Sequence, residues 1–428
     1  LPCIGTMLFT SIYGIVDGLC VSNFVGKTAF AAVNLIMPLP MLLGTIGFML
    51  GTGGSAIVGI TLGEGDQKKA DRYFTLFLLA ALISVSVLAV LGIVFLRPIA
   101  VLLGAKGELL DYAVRYGRIL MVSLPTFALQ NMFQSFFVTA EKPHLGFWFT
   151  VGAGCTNMVL DVLMVGIWGW GVEGAAIATF ISQLVGGVLP VFYFIDRSNS
   201  SRLHLCKTSF YSKVLRDACI NGSSELMTNL SMSLVNILYN YQLLRLAGEN
   251  GVAAYGVIMY AAFLFVAVFV GYAVGSAPIV SFHYGARNHA EVHNLYRKSL
   301  RLIAVVAVTL TLASMFIIPC VARIFVGYDA ELLALTSRAF RLYALSFLIM
   351  GFNVYASSFF TALGDGVTSA LISFLRTLAF QVIAILLLPL LLGIDGIWLA
   401  VTAAELAALA VSAAMLLTKD KVFHYRKA

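Results

Sequence analysis

Residues 1–25 read LPCIGTMLFTSIYGIVDGLCVSNFV, an apolar run long enough to cross a bilayer as a helix. Its single charged side chain is Asp17. A charged group at membrane depth costs about 2.5–3.5 kcal/mol on insertion scales, so it normally faces protein or water and serves a function. Tyr13 precedes Asp17 by one helical turn on the same face, within reach of the carboxylate. We therefore expect Asp17 to take up and release a cation.

Eleven more apolar runs of similar length follow along the chain. Of the 428 residues, 60% are hydrophobic and 11% are charged, whereas soluble globular proteins carry about 25% charged residues. These numbers predict an all-α polytopic membrane protein. Its twelve transmembrane helices are expected near residues 1–25, 32–62, 73–96, 115–140, 145–168, 172–195, 214–246, 252–284, 295–321, 332–363, 367–391 and 396–418.

The basic residues are distributed unevenly between the two sides of the predicted membrane. With the N-terminus inside, 17 Lys and Arg residues lie on the inner side and 9 on the outer side, while Arg376 lies within a span. The positive-inside rule then predicts that both termini lie in the cytoplasm. We expect a multi-pass protein of the plasma (inner) membrane. The net charge of +7 is thus a topology signal, and it argues against nucleic acid as a partner.

Several function classes lack their sequence signals. The six cysteines are scattered without a Cys-x-x-Cys pair, which favours neither a disulfide framework nor a zinc site. The sequence has no complete phosphate-binding loop and no catalytic His, Cys or Ser constellation, so we expect neither an ATP-driven pump nor an enzyme. No cofactor is expected, and no metal apart from Na+ as a coupling ion. Because the chain begins inside a span without Met, we expect a short segment to precede Leu1.

The two halves of the chain repeat at an offset of about 222 residues. The matching anchors are Gly26 with Gly248, Gly53 with Gly275, Gly63 with Gly285, Arg115 with Arg338, Arg118 with Arg341, and Gly171-Val172-Glu173-Gly174 with Gly393-Ile394-Asp395-Gly396. Six spans is an even number, so both halves enter the membrane from one side as parallel, pseudo-symmetric lobes, a transporter architecture. The predicted segments are a six-helix lobe at 1–195, a cytoplasmic linker at 196–213, a second six-helix lobe at 214–418 and a cytoplasmic tail at 419–428.

Polar residues of the first lobe are predicted to converge at one depth. Asp17, Asp161 and Thr179 each lie eight or nine residues from the outer end of their helix, about 12–14 Å at the helical rise. Asn157 is one turn deeper than Asp161 on the same face. Two carboxylates in a low dielectric cannot both ionise cheaply, so together with these oxygen ligands they can hold a proton or Na+. The alternative is that Asn157 and Asp161 only join helices.

The second lobe carries its own intramembrane charges, Glu225 in the seventh span, Arg376 in the eleventh and Glu405 in the twelfth. Counted from Gly393, the depths of Arg376 and Glu405 differ by about 8 Å, which a long arginine can bridge. A structural Arg376–Glu405 pair is therefore one interpretation. The other is that Arg376 faces Glu225 and lines a cavity.

The sequence resembles the multidrug and toxic compound extrusion (MATE) transporters over essentially its whole length. The residues that carry the resemblance are Pro2, Tyr13 and Asp17, Ala31-Ala32-Val33-Asn34, Gly63-Glu64-Gly65-Asp66, and Gly171-Val172-Glu173-Gly174-Ala175-Ala176-Ile177-Ala178-Thr179. The bacterial and archaeal branch of the DNA-damage-inducible type is the most similar. Glu225 resembles an acidic position that other branches use, but their acidic partner in the tenth span is missing, since that span offers Asn353 and Ser357.

The resemblance implies an antiporter that exports organic, often cationic, compounds in exchange for H+ or Na+. It implies cation-site roles for Asp17, Asn157, Asp161 and Thr179, with Tyr13 in the hydrogen-bond network and Ala175 contributing its carbonyl. We expect drug-like small molecules and the bilayer as partners, no obligate protein partner, and a monomer. The alternative within the superfamily is a flippase for lipid-linked saccharides, which would need more basic residues in its spans than Arg376 alone.

Overall fold

The computed structural model describes residues 1–25, 27–327 and 329–425, without the side chains of 14–25, 27, 28, 30, 31, 34, 249, 321, 324 and 325. These residues form helices and connecting turns, and no strand occurs among them. The helices are α1 (Pro2–Val25), α2 (Lys27–Ile36), α3 (Pro38–Gly63), α4 (Gln67–Leu102), α5 (Glu108–Thr139), α6 (Pro143–Asp161), α7 (Gly171–Gly187), α8 (Leu189–Ile195), α9 (Ser212–Asn221), α10 (Ser223–Gly285), α11 (His289–Val326), α12 (Ala330–Ala344), α13 (Phe347–Ala362), α14 (Gly366–Phe374), α15 (Phe380–Leu392), α16 (Ile394–Thr418) and α17 (Asp420–Phe423).

Within the described residues, eight helices are long and apolar enough to cross a membrane, or nine if the bent pair α12 and α13 forms one span. The prediction of twelve spans also includes 1–25, 115–140 and 214–246. Helices cover the first two segments as α1 and α5, and the third as α9 and the first part of α10. α10 consists of two helices that meet at Gly248, whose φ of 62° and ψ of −151° are not helical. The chain therefore follows the predicted order of helices.

Contacts divide the chain into two units, Leu1–Gly222 and Ser223–Ala428. The predicted second lobe begins at 214, inside α9, but α9 packs against α3 of the first unit. The Asn221 side-chain amide donates to the backbone oxygen of Gly53 at 3.4 Å. A Cβ on Gly53 would lie 2.2 Å from the backbone oxygen of Ala218, so glycine is what permits this approach. The helix at 212–221 therefore belongs with the first unit.

Each unit contains the same ion pair at the same place in its fold. Arg115 lies 3.7 Å from Glu173 in the first unit, and Arg338 pairs with Asp395 in the second. The glycines that begin the two matching segments also share a conformation, with φ of 60° at Gly171 and 58° at Gly393, in the region that favours glycine. The repeat visible in the sequence is thus a repeat of structure.

A capped turn joins α13 to α14 in the second unit. Asp365 accepts hydrogen bonds from the backbone N–H of Thr368 at 3.2 Å and from its hydroxyl at 2.7 Å, and it pairs with Lys419 at 2.9 Å. Burial raises the pKa of Asp365, but Lys419 and Thr368 outweigh burial, so the pKa lies below its ordinary value. The end of α16 is thereby fixed to the start of α14.

Candidate functional site

The first unit contains a buried polar pair on α6. Asp161, the last residue of α6, has no exposed surface, and Asn157, one turn earlier, is 2% exposed. Within the described part of the chain, Asn157 Nδ2 has no hydrogen-bond partner. Because both side chains are shielded from lipid, they form a polar site enclosed by protein.

Three helices that carry predicted site residues pack against one another. α1 contacts both α6 and α7, and α6 contacts α7. A Cβ on Gly154 of α6 would lie 3.1 Å from the Tyr13 ring, which places Tyr13 beside the α6 face that carries Asp161. The hydroxyl of Thr179 donates to the Ala175 carbonyl at 3.0 Å, and Ala175 is buried. The side chain of Asp17 lies outside the described residues.

A π-helical turn, Val162–Ile167, follows Asp161 directly. In this turn the backbone N–H of Trp168 reaches back five residues, donating to the oxygen of Leu163 at 2.8 Å. Such turns interrupt the regular helical hydrogen bonding and occur frequently at functional sites. Asp161 thus sits where the backbone of the fifth span changes its winding.

The second unit contains a buried network built around Glu405, which is 1% exposed. The Asn353 side-chain amide donates to the Glu405 carboxylate at 2.7 Å and to its backbone oxygen at 2.9 Å. Ser412 donates to the Asn353 oxygen at 2.9 Å. Arg376 Nη1 lies 3.9 Å from the Glu405 carboxylate and has no hydrogen-bond partner in the described part of the chain. Arg376 thus supplies a charge to Glu405 without a hydrogen bond.

The two sequence interpretations of Arg376 named Glu405 and Glu225 as its neighbours. Glu405 is within ion-pair distance, and Glu225, half-buried in the first turn of α10, is close enough to Arg376 for electrostatic interaction. Tyr343 is buried and interacts electrostatically with Arg376 and Glu405. A second π-helical turn, Leu375–Ala379, contains Arg376. Arg376 therefore forms an ion pair with Glu405, whereas Glu225 lies beyond ion-pair distance.

The repeat shows what the first unit has at the positions of this network. At offsets of 222 or 223 residues, Asn353, Arg376 and Glu405 correspond to Gln130, Gly154 and Gln183. Gln130 is buried, and the Gln183 side-chain oxygen is buried without a hydrogen-bond partner among the described residues. Comparing the halves position by position would have revealed Gln130 and Gln183, which sequence reasoning missed. The charged network belongs to one lobe, and its uncharged counterpart belongs to the other.

No cluster of three or more His, Cys, Asp or Glu side chains suited to a metal ion occurs in the described part of the chain. His293 Nδ1 instead lies 2.9 Å from the backbone oxygen of Tyr425, a contact that joins α11 to the C-terminal segment.

Two repeated lobes of apolar helices, each enclosing buried polar groups, are the architecture of a multi-pass membrane transporter. The MatE family model matches residues 2–163 and 226–387, once in each half. The chain belongs to this family of MATE transporters.

Known relatives and solved structures match nearly the whole chain. The multidrug export protein MepA of Staphylococcus saprophyticus is 22% identical over 425 residues, 98% of this chain and 92% of the relative. MepA of Staphylococcus aureus MSSA476 is 22% identical over 421 residues, with the same two coverages. An outward-facing multidrug resistance MATE family transporter is 24% identical with a TM-score of 0.93, covering 100% of this chain and 95% of that one. A MOP superfamily transporter from Pyrococcus furiosus is 23% identical with a TM-score of 0.91, at the same coverages. These likenesses confirm the predicted two-lobe, twelve-helix fold.

Proposed function

We propose that this protein is a secondary antiporter that exports small organic compounds, many of them cationic, in exchange for H+ or Na+. The observation that carries the proposal is the fully buried Asp161 beside the buried Asn157, on a helix packed against the one that carries Asp17. Burial disfavours the charged form of a carboxylate, which favours uptake of a proton or a cation at Asp161. Oxygen ligands from Asn157, Thr179 and the Ala175 carbonyl suit a hard cation.

Coupling follows when the cation binds the two access states of the transporter with different affinity. The π-helical turn after Asp161 gives the fifth span a place where its winding can change when the carboxylate gains or loses a cation. Alternating access of the lobes then needs only that substrate and cation favour opposite states. The proposal that this protein exports drugs is supported by its similarity to the multidrug export protein MepA and by its membership of the family.

The decisive experiment measures export as dye uptake into inverted membrane vesicles, whose outer face is the cytoplasmic face, with a pH gradient and a Na+ gradient imposed separately. Asp17→Asn and Asp161→Asn are each expected to reduce gradient-driven efflux at least 10-fold, because an amide cannot exchange a proton and binds cations more weakly. The gradient that drives wild-type efflux identifies the coupling ion.

The matched control is Glu173→Gln, which removes a half-exposed carboxylate of the same lobe that pairs with Arg115 at the surface. This variant should retain efflux, since exposed pairs contribute little. Full efflux in Asp17→Asn and Asp161→Asn would contradict the proposed coupling site. Absence of dye movement in the wild type under both gradients would instead favour the flippase.

A further inference from the structure

A basic pocket of about 480 Å³ lies where the start of α4 meets the segment 196–211. The segment is hydrogen-bonded along α4. The backbone N–H of His204 donates to Asp71 at 3.0 Å, that of Cys206 donates to the Thr75 hydroxyl at 3.1 Å, and the Thr208 hydroxyl donates to the backbone oxygen of Arg72 at 2.8 Å. The predicted linker is therefore a strap fixed to a transmembrane helix, and the pocket has built walls.

The lining of the pocket is strongly positive. It includes the cations Lys68, Arg72, Arg197 and Lys207 and one carboxylate, Asp71, a net charge of +3 with His204 neutral. Asp71 is already engaged by the His204 N–H and by the Gln67 amide at 3.2 Å. Within the described part of the chain, none of the four cations forms an ion pair with a carboxylate. The pocket thus keeps an excess of positive charge after Asp71 is counted.

His204 adds an unused hydrogen-bonding group at the wall. Its Nε2 is buried and has no hydrogen-bond partner among the described residues. A buried polar atom without a partner is costly, so Nε2, when it carries a proton, gains a partner by donating to a ligand oxygen that reaches it. The four cations and the imidazole together suit a phosphate group.

The pocket lies at the ends of two helices suited to crossing the membrane, α4 and the Gly171–Ile195 segment. Leu79 and Ile83 follow Arg72 by seven and eleven residues, so they lie on the same face of α4, and both are exposed. Phe192 and Ile195 are exposed on α8, five and two residues before Arg197. Apolar surface therefore continues from the pocket toward the position of the acyl chains, on the side predicted to be cytoplasmic.

We propose that this pocket binds the phosphate headgroup of an anionic phospholipid, with the acyl chains along the exposed apolar faces of α4 and α8. Basic pockets between transmembrane helices are suited to such headgroups, and juxtamembrane basic residues attract an anionic leaflet. A soluble phosphate shares the headgroup chemistry but cannot use the adjoining apolar faces.

The test titrates the purified full chain in detergent micelles with phosphatidylglycerol and with phosphatidylcholine, and measures bound lipid by native mass spectrometry. Wild type is expected to prefer phosphatidylglycerol. Arg72→Gln/Lys207→Gln should weaken phosphatidylglycerol binding about five-fold per charge, about 25-fold in total. The matched control, Lys69→Gln/Lys213→Gln, removes two exposed cations that do not line the pocket, one on α4 and one on α9, and should bind as wild type does.

Three outcomes would overturn the proposal. They are equal binding of both lipids to the wild type, equal losses in the pocket and control variants, and binding of inorganic phosphate alone as tightly as phosphatidylglycerol. The last would assign the pocket to a soluble phosphate. If the pocket variant fails to fold by size-exclusion chromatography, Arg197→Gln carries the test with an expected five-fold loss, and unchanged lipid binding would refute the site.

Discussion

At the residue scale, Glu405 and Arg376 depend on one another. Glu405 is 1% exposed, and its carboxylate has Asn353 as a donor and Arg376 as a counter-charge. Removing one partner of a buried ion pair leaves an uncompensated charge, whereas removing both at once can be nearly neutral. A single substitution in this buried pair should therefore lower the free energy of unfolding more than a double substitution does, which is not expected for an exposed pair.

Arg376→Met is expected to lower the free energy of unfolding by about 3 kcal/mol, because the buried Glu405 carboxylate loses its counter-charge. Arg376→Met/Glu405→Gln should recover most of that loss, since the amide keeps the contact with Asn353 and no charge remains. Thermal unfolding in detergent measures both variants.

The control for this cycle is Arg338→Met, which breaks the exposed pair with Asp395 and should cost at most about 1 kcal/mol. A double variant less stable than Arg376→Met would show that Glu405 is stabilised by its remaining neighbours and not by Arg376.

At the element scale, the same pair of helices packs closely in both lobes, but different side chains form the contact. A Cβ on Gly47 of α3 would lie 2.4 Å from the backbone oxygen of Ala128 on α5. In the second lobe the matching positions are Phe269 on α10 and Gly351 on α13, and a Cβ on Gly351 would lie 2.5 Å from the Phe269 ring. The glycine lies on the first helix of the pair in one lobe and on the second helix in the other. Each helix therefore fits only the partner helix of its own lobe.

Gly47→Ala is expected to destabilise the protein by about 1–3 kcal/mol, because the obstructing atoms are backbone and the helices must separate. Gly152→Ala is the matched control in the same lobe, where the nearest neighbour is the Val185 side chain at 3.9 Å. It should be neutral or more stable by up to about 1 kcal/mol. Thermal unfolding of the two variants tests this prediction. Equal unfolding midpoints would contradict a tight contact at Gly47.

At the scale of the whole molecule, orientation in the membrane remains a prediction from the Lys and Arg distribution. It can be tested with Lys106→Cys, on the side predicted to be outside, and Ser209→Cys, in the strap; both positions are exposed. A membrane-impermeant maleimide should label Lys106→Cys in intact cells and Ser209→Cys only after permeabilisation. The unsubstituted protein gives the background from its own cysteines. The reverse pattern would invert the topology and move the basic pocket to the other leaflet.

The spans and the repeat could be predicted because their signals are local or periodic. Apolar runs mark the helices, and Arg115 and Glu173 recur as Arg338 and Asp395 at nearly one offset. The role of Asn353 could not be predicted, because its partner Glu405 lies 52 residues away and contact depends on how α13 meets α16. The strap likewise follows α4 through hydrogen bonds between residues more than 130 positions apart, for which the sequence has no pattern.

The correspondence of Gly154 with Arg376 bears on the ancestry of the two halves. If they descend from one duplicated gene, the copies have ceased to be interchangeable. The room beside Gly154 is filled by the rings of Phe9 and Tyr13, whereas the corresponding positions carry Ser231 and Val235. A chimera with the eleventh span in place of the fifth would force an arginine into aromatic rings, without a carboxylate at Gln183 to receive it. Sequence divergence has thus left each half with buried side chains that fit only its own neighbouring helices.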